Sequence, residues 1–303
     1  MNSTKPIGRY ARILLDSFFK RAFGTEKNKR LTTLFLEELI PERKIVNLTF
    51  VQTEHINPFP EKMDNRIDIE CTDADGSRFL VELQVKRQAS IYDRAVLYST
   101  YGIQAQLEKG ADDYFFPTVY FIGLLDFSMH KDTDEVKFRY LLKRDVGDEV
   151  MTDHLQYIFL ELPNCKKALT KEASVLDNVC YALHNMEHLT DRPAELKEEI
   201  FKLLFECAEI SNFTAEEKVK YEQDMTTERD RRNQLRYAVD NAREEGRKEG
   251  LEEGEAKGRK EGRKEGRKEG AVEIAKALLA NGVKMEVIVA STGLSEEEIG
   301  APK

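Results

Sequence analysis

The stretch from Arg66 to Arg87, RIDIECTDADGSRFLVELQVKR, constrains this chain most, because it reads as one β-hairpin with its charge gathered on one face. Two runs rich in Ile, Val and Phe flank Asp73-Ala74-Asp75-Gly76, and Gly76 suits the left-handed last position of a three-residue loop. With Ala74–Gly76 as the loop, Asp68 stands directly opposite Glu82. Side chains alternate along strands, so Ile67, Ile69, Cys71, Phe79, Val81, Leu83 and Val85 share an apolar face. The other face carries Asp68, Glu70, Glu82, Gln84 and Lys86. A solvated sheet surface is the simplest account of such a face. Two carboxylates directly opposed destabilise a hairpin, however, unless something positive lies between them. A divalent cation fits, since Mg²⁺ takes one or two carboxylates plus waters and draws further ligands from substrate phosphates.

The rest of the chain frames this hairpin. With 303 residues and 41% hydrophobic content, it can bury one sizeable core with appendages, or two domains. No run approaches the length of a membrane span, and the N-terminus lacks the pattern of a cleaved signal peptide, so a cytoplasmic location without membrane contact is expected. The cysteines, Cys71, Cys165, Cys180 and Cys207, form no C-x-x-C pair and are expected as free thiols. The net charge of −9 excludes a uniformly basic nucleic-acid binder. Residues 1–50 nonetheless carry ten Lys/Arg against five Asp/Glu, a local basic surface compatible with a phosphate backbone.

Apolar spacing predicts helices over 10–23 and 28–40, with Pro41 stopping the second, and a strand over 45–51. A long helix over 91–109 closes at Gly110, and the apolar run 119–125 has the pattern of a strand buried on both faces. Further strands are expected at 136–142 and 157–162. This order is an α/β pattern. Residues 173–241 read as helix, broken near Pro193 and Ser211-Asn212. Within them His184-Asn185-Met186-Glu187-His188 spells H-x-x-E-H, two His at i and i+4 as in inverted zinc peptidases, but a chance match on a surface helix accounts for it more simply.

Asp68 followed by Glu82-Leu83-Gln84 resembles the D…(D/E)xK metal site of the PD-(D/E)xK nucleases, in a variant with Gln in place of Lys. The flanks resemble the Rpn family of recombination-promoting nucleases and transposases. Its D-x-x-F-K-x-x-F-G helix appears as Asp16 to Gly24, and its Arg/Tyr helix as Tyr92, Arg94 and Tyr98. The similarity continues through the Lys109-Gly110 turn, the 117–125 strand and the glycine-punctuated tail. It implies a restriction-endonuclease-like core, a mixed sheet flanked by helices, over residues 1–165, followed by a helical region over 166–245. It also implies a metal-dependent DNA endonuclease using Mg²⁺ or Mn²⁺, held by Asp68, Glu82 and the Leu83 carbonyl, with Asp16 as an additional candidate ligand. Gln84 and Lys86 complete the catalytic set, Lys86 standing in for the missing cation. Lys20, Arg94 and Tyr98 would lie against DNA. A non-catalytic nucleic-acid or protein interaction module on the same fold is the alternative.

Gly246, Gly250, Gly254, Gly258, Gly262, Gly266 and Gly270 recur every four residues. Each costs roughly 1 kcal/mol relative to Ala in a helix, and like charges fall at i,i+4, so 246–270 reads as a fraying tether that firms on self-association. Residues 271–303 read as a small helical module with turns at Asn281-Gly282 and Thr292-Gly293-Leu294. IVASTGL, residues 288–294, resembles the middle of a helix-turn-helix, but the following helix is acidic, which favours a packing or oligomerisation module over one that reads bases.

Overall fold

A computed structural model describes residues 8–51, 67–107 and 115–300. The predicted central strand, β4 (Val119–Leu125), is buried at every position. It lies between two parallel neighbours, β3 (Arg78–Gln84) and β6 (Val150–Glu161). With β1 (Thr49–Phe50), β2 (Ile69–Thr72) and β5 (Lys137–Lys143) they form one mixed sheet of order β1-β2-β3-β4-β6-β5. Parallel pairing demands a crossover, and α3 (Ile91–Gln104) supplies the one from β3 to β4.

The hairpin has the predicted register: Ile69 pairs with Val81, Cys71 with Phe79 and Thr72 with Arg78. Gly76 takes φ +79°, the left-handed value that a three-residue loop requires of its last residue. Asp73 caps the turn, its Oδ1 accepting the Asp75 and Ser77 N–H groups while Oδ2 holds the Arg43 guanidinium.

Alternation sorts the sheet's side chains into two cores. Ile69, Cys71, Phe79, Val81, Leu83, Tyr120, Ile122 and Leu124 pack against α1 (Asp16–Phe23), α2 (Lys29–Leu39), α4 (Val175–Asn185) and α5 (Glu199–Ala208). The opposite face meets α3, burying Leu80, Phe121, Phe159, Ala95 and Tyr98. The polar face of the hairpin is buried, as the opposed carboxylates argued against a solvated surface: Glu70, Glu82 and Gln84 are all buried. One expectation is corrected here. Ile67 leaves the apolar face and joins the α3 side, because β2 begins only at Ile69 and alternation does not bind the residues before it.

Other boundaries move for tertiary reasons. The first helix begins at Asp16 because residues 9–11 run extended beside the chain leaving α5: the Ala11 N–H donates to the Ala208 carbonyl (2.8 Å) and the Ile210 N–H to the Arg9 carbonyl (3.1 Å). The 45–51 strand contracts to two residues, the length over which it pairs with β2. Arg66 and the Lys109-Gly110 turn lie outside the described residues. All four cysteines are free, and among the described residues no helix is long and apolar enough to cross a membrane.

The chain divides into two compact units, residues 1–226 and 227–303. α6 (Ala215–Ala280) contains the whole glycine repeat as continuous helix. Extending an existing helix needs no new nucleus, whereas an isolated segment would. In the second unit Ala275, Ile288, Leu294 and Ile299 form a small core among the end of α6, α7 (Met285–Thr292) and α8 (Glu296–Gly300). Gly293 ends α7 at φ +70°, and Ser295 and Glu298 make the expected reciprocal cap.

Candidate metal centre

β2 begins at Ile69, opposite Val81, so the last three residues of β3 run past it, and Asp68 lies just before β2. The Leu83 N–H donates to Asp68 Oδ2 at 2.8 Å. Backbone N–H and C=O of one strand residue point to the same side. The Gln84 carbonyl is turned toward β4, where it accepts the Asp126 N–H (3.0 Å). The Leu83 carbonyl therefore faces the Asp68 side of the strand. The register that pairs Ile69 with Val81 places Asp68 across from Glu82, with its carboxylate reaching the Leu83 N–H.

Lys20, one turn along α1 from Asp16, reaches both acids: Nζ is 2.9 Å from Asp16 Oδ1 and 3.1 Å from Asp68 Oδ1. Burial alone would lower this ammonium, but hydrogen bonding to Asp16 and the Asp68 charge hold it above its ordinary value. Burial pushes Asp68 up to about 6; the Leu83 N–H acts against this and the nearby Asp16 adds to it. Glu82 is displaced further, to about 8, by burial first and then by the Asp68 carboxylate.

Glu82 Oε1 accepts from Gln84 Nε2 (2.9 Å) and from the Arg94 guanidinium of α3. Arg94 also donates to Gln88 Oε1 (3.0 Å) and to the Tyr98 hydroxyl (2.9 Å), above whose ring it sits. Tyr98 is raised by its own burial and by Glu82. Glu82 Oε2 is buried with no hydrogen-bond partner. Such an atom loses its hydration without compensation and is left open to a further polar partner. The donor set, two carboxylates and a carbonyl oxygen, is the hard-oxygen type that Mg²⁺ prefers. Among the described residues no three Asp, Glu, His or Cys side chains form a group that could hold a metal ion.

The structure brings together Asp16, Lys20, Asp68, Glu82, Gln84, Arg94 and Tyr98. Lys86 lies two residues past the end of β3, where strand alternation no longer aims the side chain, and forms no ion pair with any described residue. Lys20 occupies the cationic place beside Asp68.

A second polar cluster escaped the sequence reading. Asp126, immediately after β4, accepts from His184 Nδ1 at 2.6 Å, and Arg12 lies 3.8 Å from Asp126 and 3.7 Å from Glu187. The signal available was Asp126 itself, an acid at the carboxyl end of a central parallel strand, where functional groups collect in open α/β sheets. The H-x-x-E-H segment is consumed here. α4 stops at Asn185, so His184 and His188 do not share a helix face; His184 pairs with Asp126 and Glu187 faces Arg12.

Residues 13–238 match the family described as PD-(D/E)XK nuclease family transposase. Residues 268–301 match the C-terminal HTH domain of the Rpn/YhgA-like nuclease family. The small module that its acidic last helix marked as a packing element is thus similar to a helix-turn-helix. No curated protein and no solved structure matches the chain.

Proposed function

Because the chain belongs to the PD-(D/E)XK nuclease family transposases, we propose that it is a metal-dependent DNA endonuclease whose centre is built on Asp68 and Glu82. The observation that carries this reading is the buried, unpartnered Glu82 Oε2 beside a second acid. Asp68, Glu82 and the Leu83 carbonyl would hold Mg²⁺ or Mn²⁺, with Asp16 next to them. When bound, the metal polarises the scissile phosphate and lowers the pKa of a water at the site.

The chain's own residues supply the rest. Gln84 has no charge, and its amide orients Glu82 from the neighbouring position on the same face. Lys20 provides the cation that the usual Lys of the motif would bring, at Asp68. Arg94, paired with Glu82 and held by the Tyr98 hydroxyl, would be placed to meet a phosphate at the centre. The C-terminal module, similar to a helix-turn-helix, adds a DNA contact. Self-association through the tail belongs to the same reading, because a Cβ added at any glycine from Gly246 to Gly270 meets no neighbouring atom, which leaves that helix face open to a second chain.

Purified protein should nick supercoiled plasmid with Mg²⁺ or Mn²⁺ and not in EDTA, and Asp68→Ala or Glu82→Ala should remove the activity while the melting profile stays cooperative. Full activity in either variant would end the assignment. Two observations favour the non-catalytic alternative: Gln84 stands where the motif has Lys, and Arg94 already occupies one Glu82 oxygen. DNA binding without cleavage in any divalent metal would select it.

A further inference from the structure

Beyond the carboxylate centre, the same end of the sheet carries a cavity of about 480 Å³ lined by Arg87, Phe127, Lys131, Pro163, Asn164 and Lys166. Its charged side chains are all cations. Lys166 is engaged by Asp134 (2.7 Å), whereas Arg87 and Lys131 are exposed and form no ion pair with any described residue. We propose that this cavity is a subsite for a backbone phosphate of the nucleic-acid strand whose cleavage the carboxylate centre performs, a proposal that rests on the nuclease reading above.

Position is the first argument. Arg87 leaves β3 three residues after Gln84, and Phe127 leaves β4 two residues after Leu125. The two exits are tied together by the hydrogen bond from the Asp126 N–H to the Gln84 carbonyl. Five residues separate Glu82 from Arg87, at most about 17 Å of extended chain. Consecutive phosphates of one strand advance about 3.4 Å along a duplex axis, so a strand seated at Glu82 reaches the cavity within about five nucleotides.

Rigidity is the second. Glu161, fully buried, accepts the Met129 and His130 N–H groups (2.9 and 3.1 Å), His130 Nδ1 (2.6 Å) and Asn164 Nδ2 (3.0 Å). Asn164 in turn donates to the His130 carbonyl (3.2 Å) and accepts from Ser128 Oγ (2.5 Å). The loop that presents Lys131 is therefore pinned at its base, and a bound phosphate has little ordering cost to overcome. The rings of Phe127 and Pro163 offer an apolar wall for the sugar. A carboxylate ligand is disfavoured by nothing here, but the continuity with a phosphodiester centre selects the strand.

The test uses the full chain and a fluorescent duplex, with Ca²⁺ in place of Mg²⁺, and reads anisotropy across a salt series. Arg87→Gln and Lys131→Gln should each flatten the plot of log K against log salt by about 0.9 and weaken binding about fivefold at 0.15 M salt, the signature of one lost phosphate contact. Lys143→Gln, on the β5–β6 hairpin and paired with Asp148, is the control and should leave the slope unchanged. Slopes equal to wild type, or an equal fall in the control, overturn the subsite. Inorganic phosphate or dAMP competing with the duplex at sub-millimolar concentration in wild type, but not in the double variant, would assign the cavity to a free anion and also overturn it. Plasmid nicking by wild type is scored separately: a flattened slope without nicking keeps the subsite and removes the nuclease reading, while nicking with unchanged slopes does the reverse.

Discussion

Replacing Glu82 by Gln should stabilise the metal-free protein, and by an amount that grows with pH. The side chain is 6% exposed, and burial together with the Asp68 charge places its folded pKa at about 8 against an ordinary 4.5. An acid raised on folding keeps its proton in the native state where the unfolded chain has released it, so stability falls as pH climbs from about 4.5 to about 8. At pH 7 the interval is about 2.5 units, which at 1.36 kcal/mol per unit is about 3 kcal/mol. Gln is neutral in both states and escapes this cost. Its amide oxygen can still accept from Gln84 and Arg94, with about 1 kcal/mol lost through the weaker acceptor. The net gain is about 2 kcal/mol at pH 7, or roughly 4–8 °C in Tm for a unit of this size. Near pH 4.5 the difference should vanish or reverse slightly. Thermal melts of both proteins in EDTA from pH 4.5 to 8.5 measure it. Parallel stability–pH curves for wild type and Glu82→Gln would refute the reasoning, since they would mean that Glu82 folds at no electrostatic disadvantage. Added Mg²⁺ should then raise the Tm of wild type and not of the variant, because only a carboxylate gains from the ion.

Lys20→Met should lower cleavage by at least tenfold while leaving Mg²⁺ affinity unchanged or tighter, since the ammonium competes with metal for Asp68; activity retained in Lys20→Met would return the cationic role to another residue. Gly123→Ala should cost about 1–3 kcal/mol in urea melts, because the new Cβ would lie 2.8 Å from the buried Phe159 ring beside the Glu82 register position, and an unchanged midpoint would show that the ring yields freely. Deleting residues 246–303 should leave a folded core that still cleaves at saturating DNA but with altered light-scattering mass or DNA affinity; an insoluble product, or one unchanged in both, would contradict the tail's assigned role.

The sequence alone determined whatever is written in short-range pattern. The hairpin register follows from alternation plus one glycine that must turn left-handed, and the β4 assignment from seven consecutive apolar residues that only a strand covered on both faces accommodates. The C-terminal turns at Gly282 and Gly293, both at positive φ, are equally local. Tertiary structure decided everything that depends on which distant element lands on a face. A polar strand face reads as solvated until α3 is laid over it, and that burial is what raises Asp68 and Glu82 and leaves one Glu82 oxygen without a partner. The pairing of residues 9–11 with the end of α5, which removes the start of a helix that local spacing predicts, joins segments about two hundred positions apart. Lys20 could be named from its motif, but its place at Asp68 depends on where α1 meets the start of β2. Alternation and propensity act over a few residues, whereas desolvation and charge pairing are set by the neighbours that the whole fold assembles.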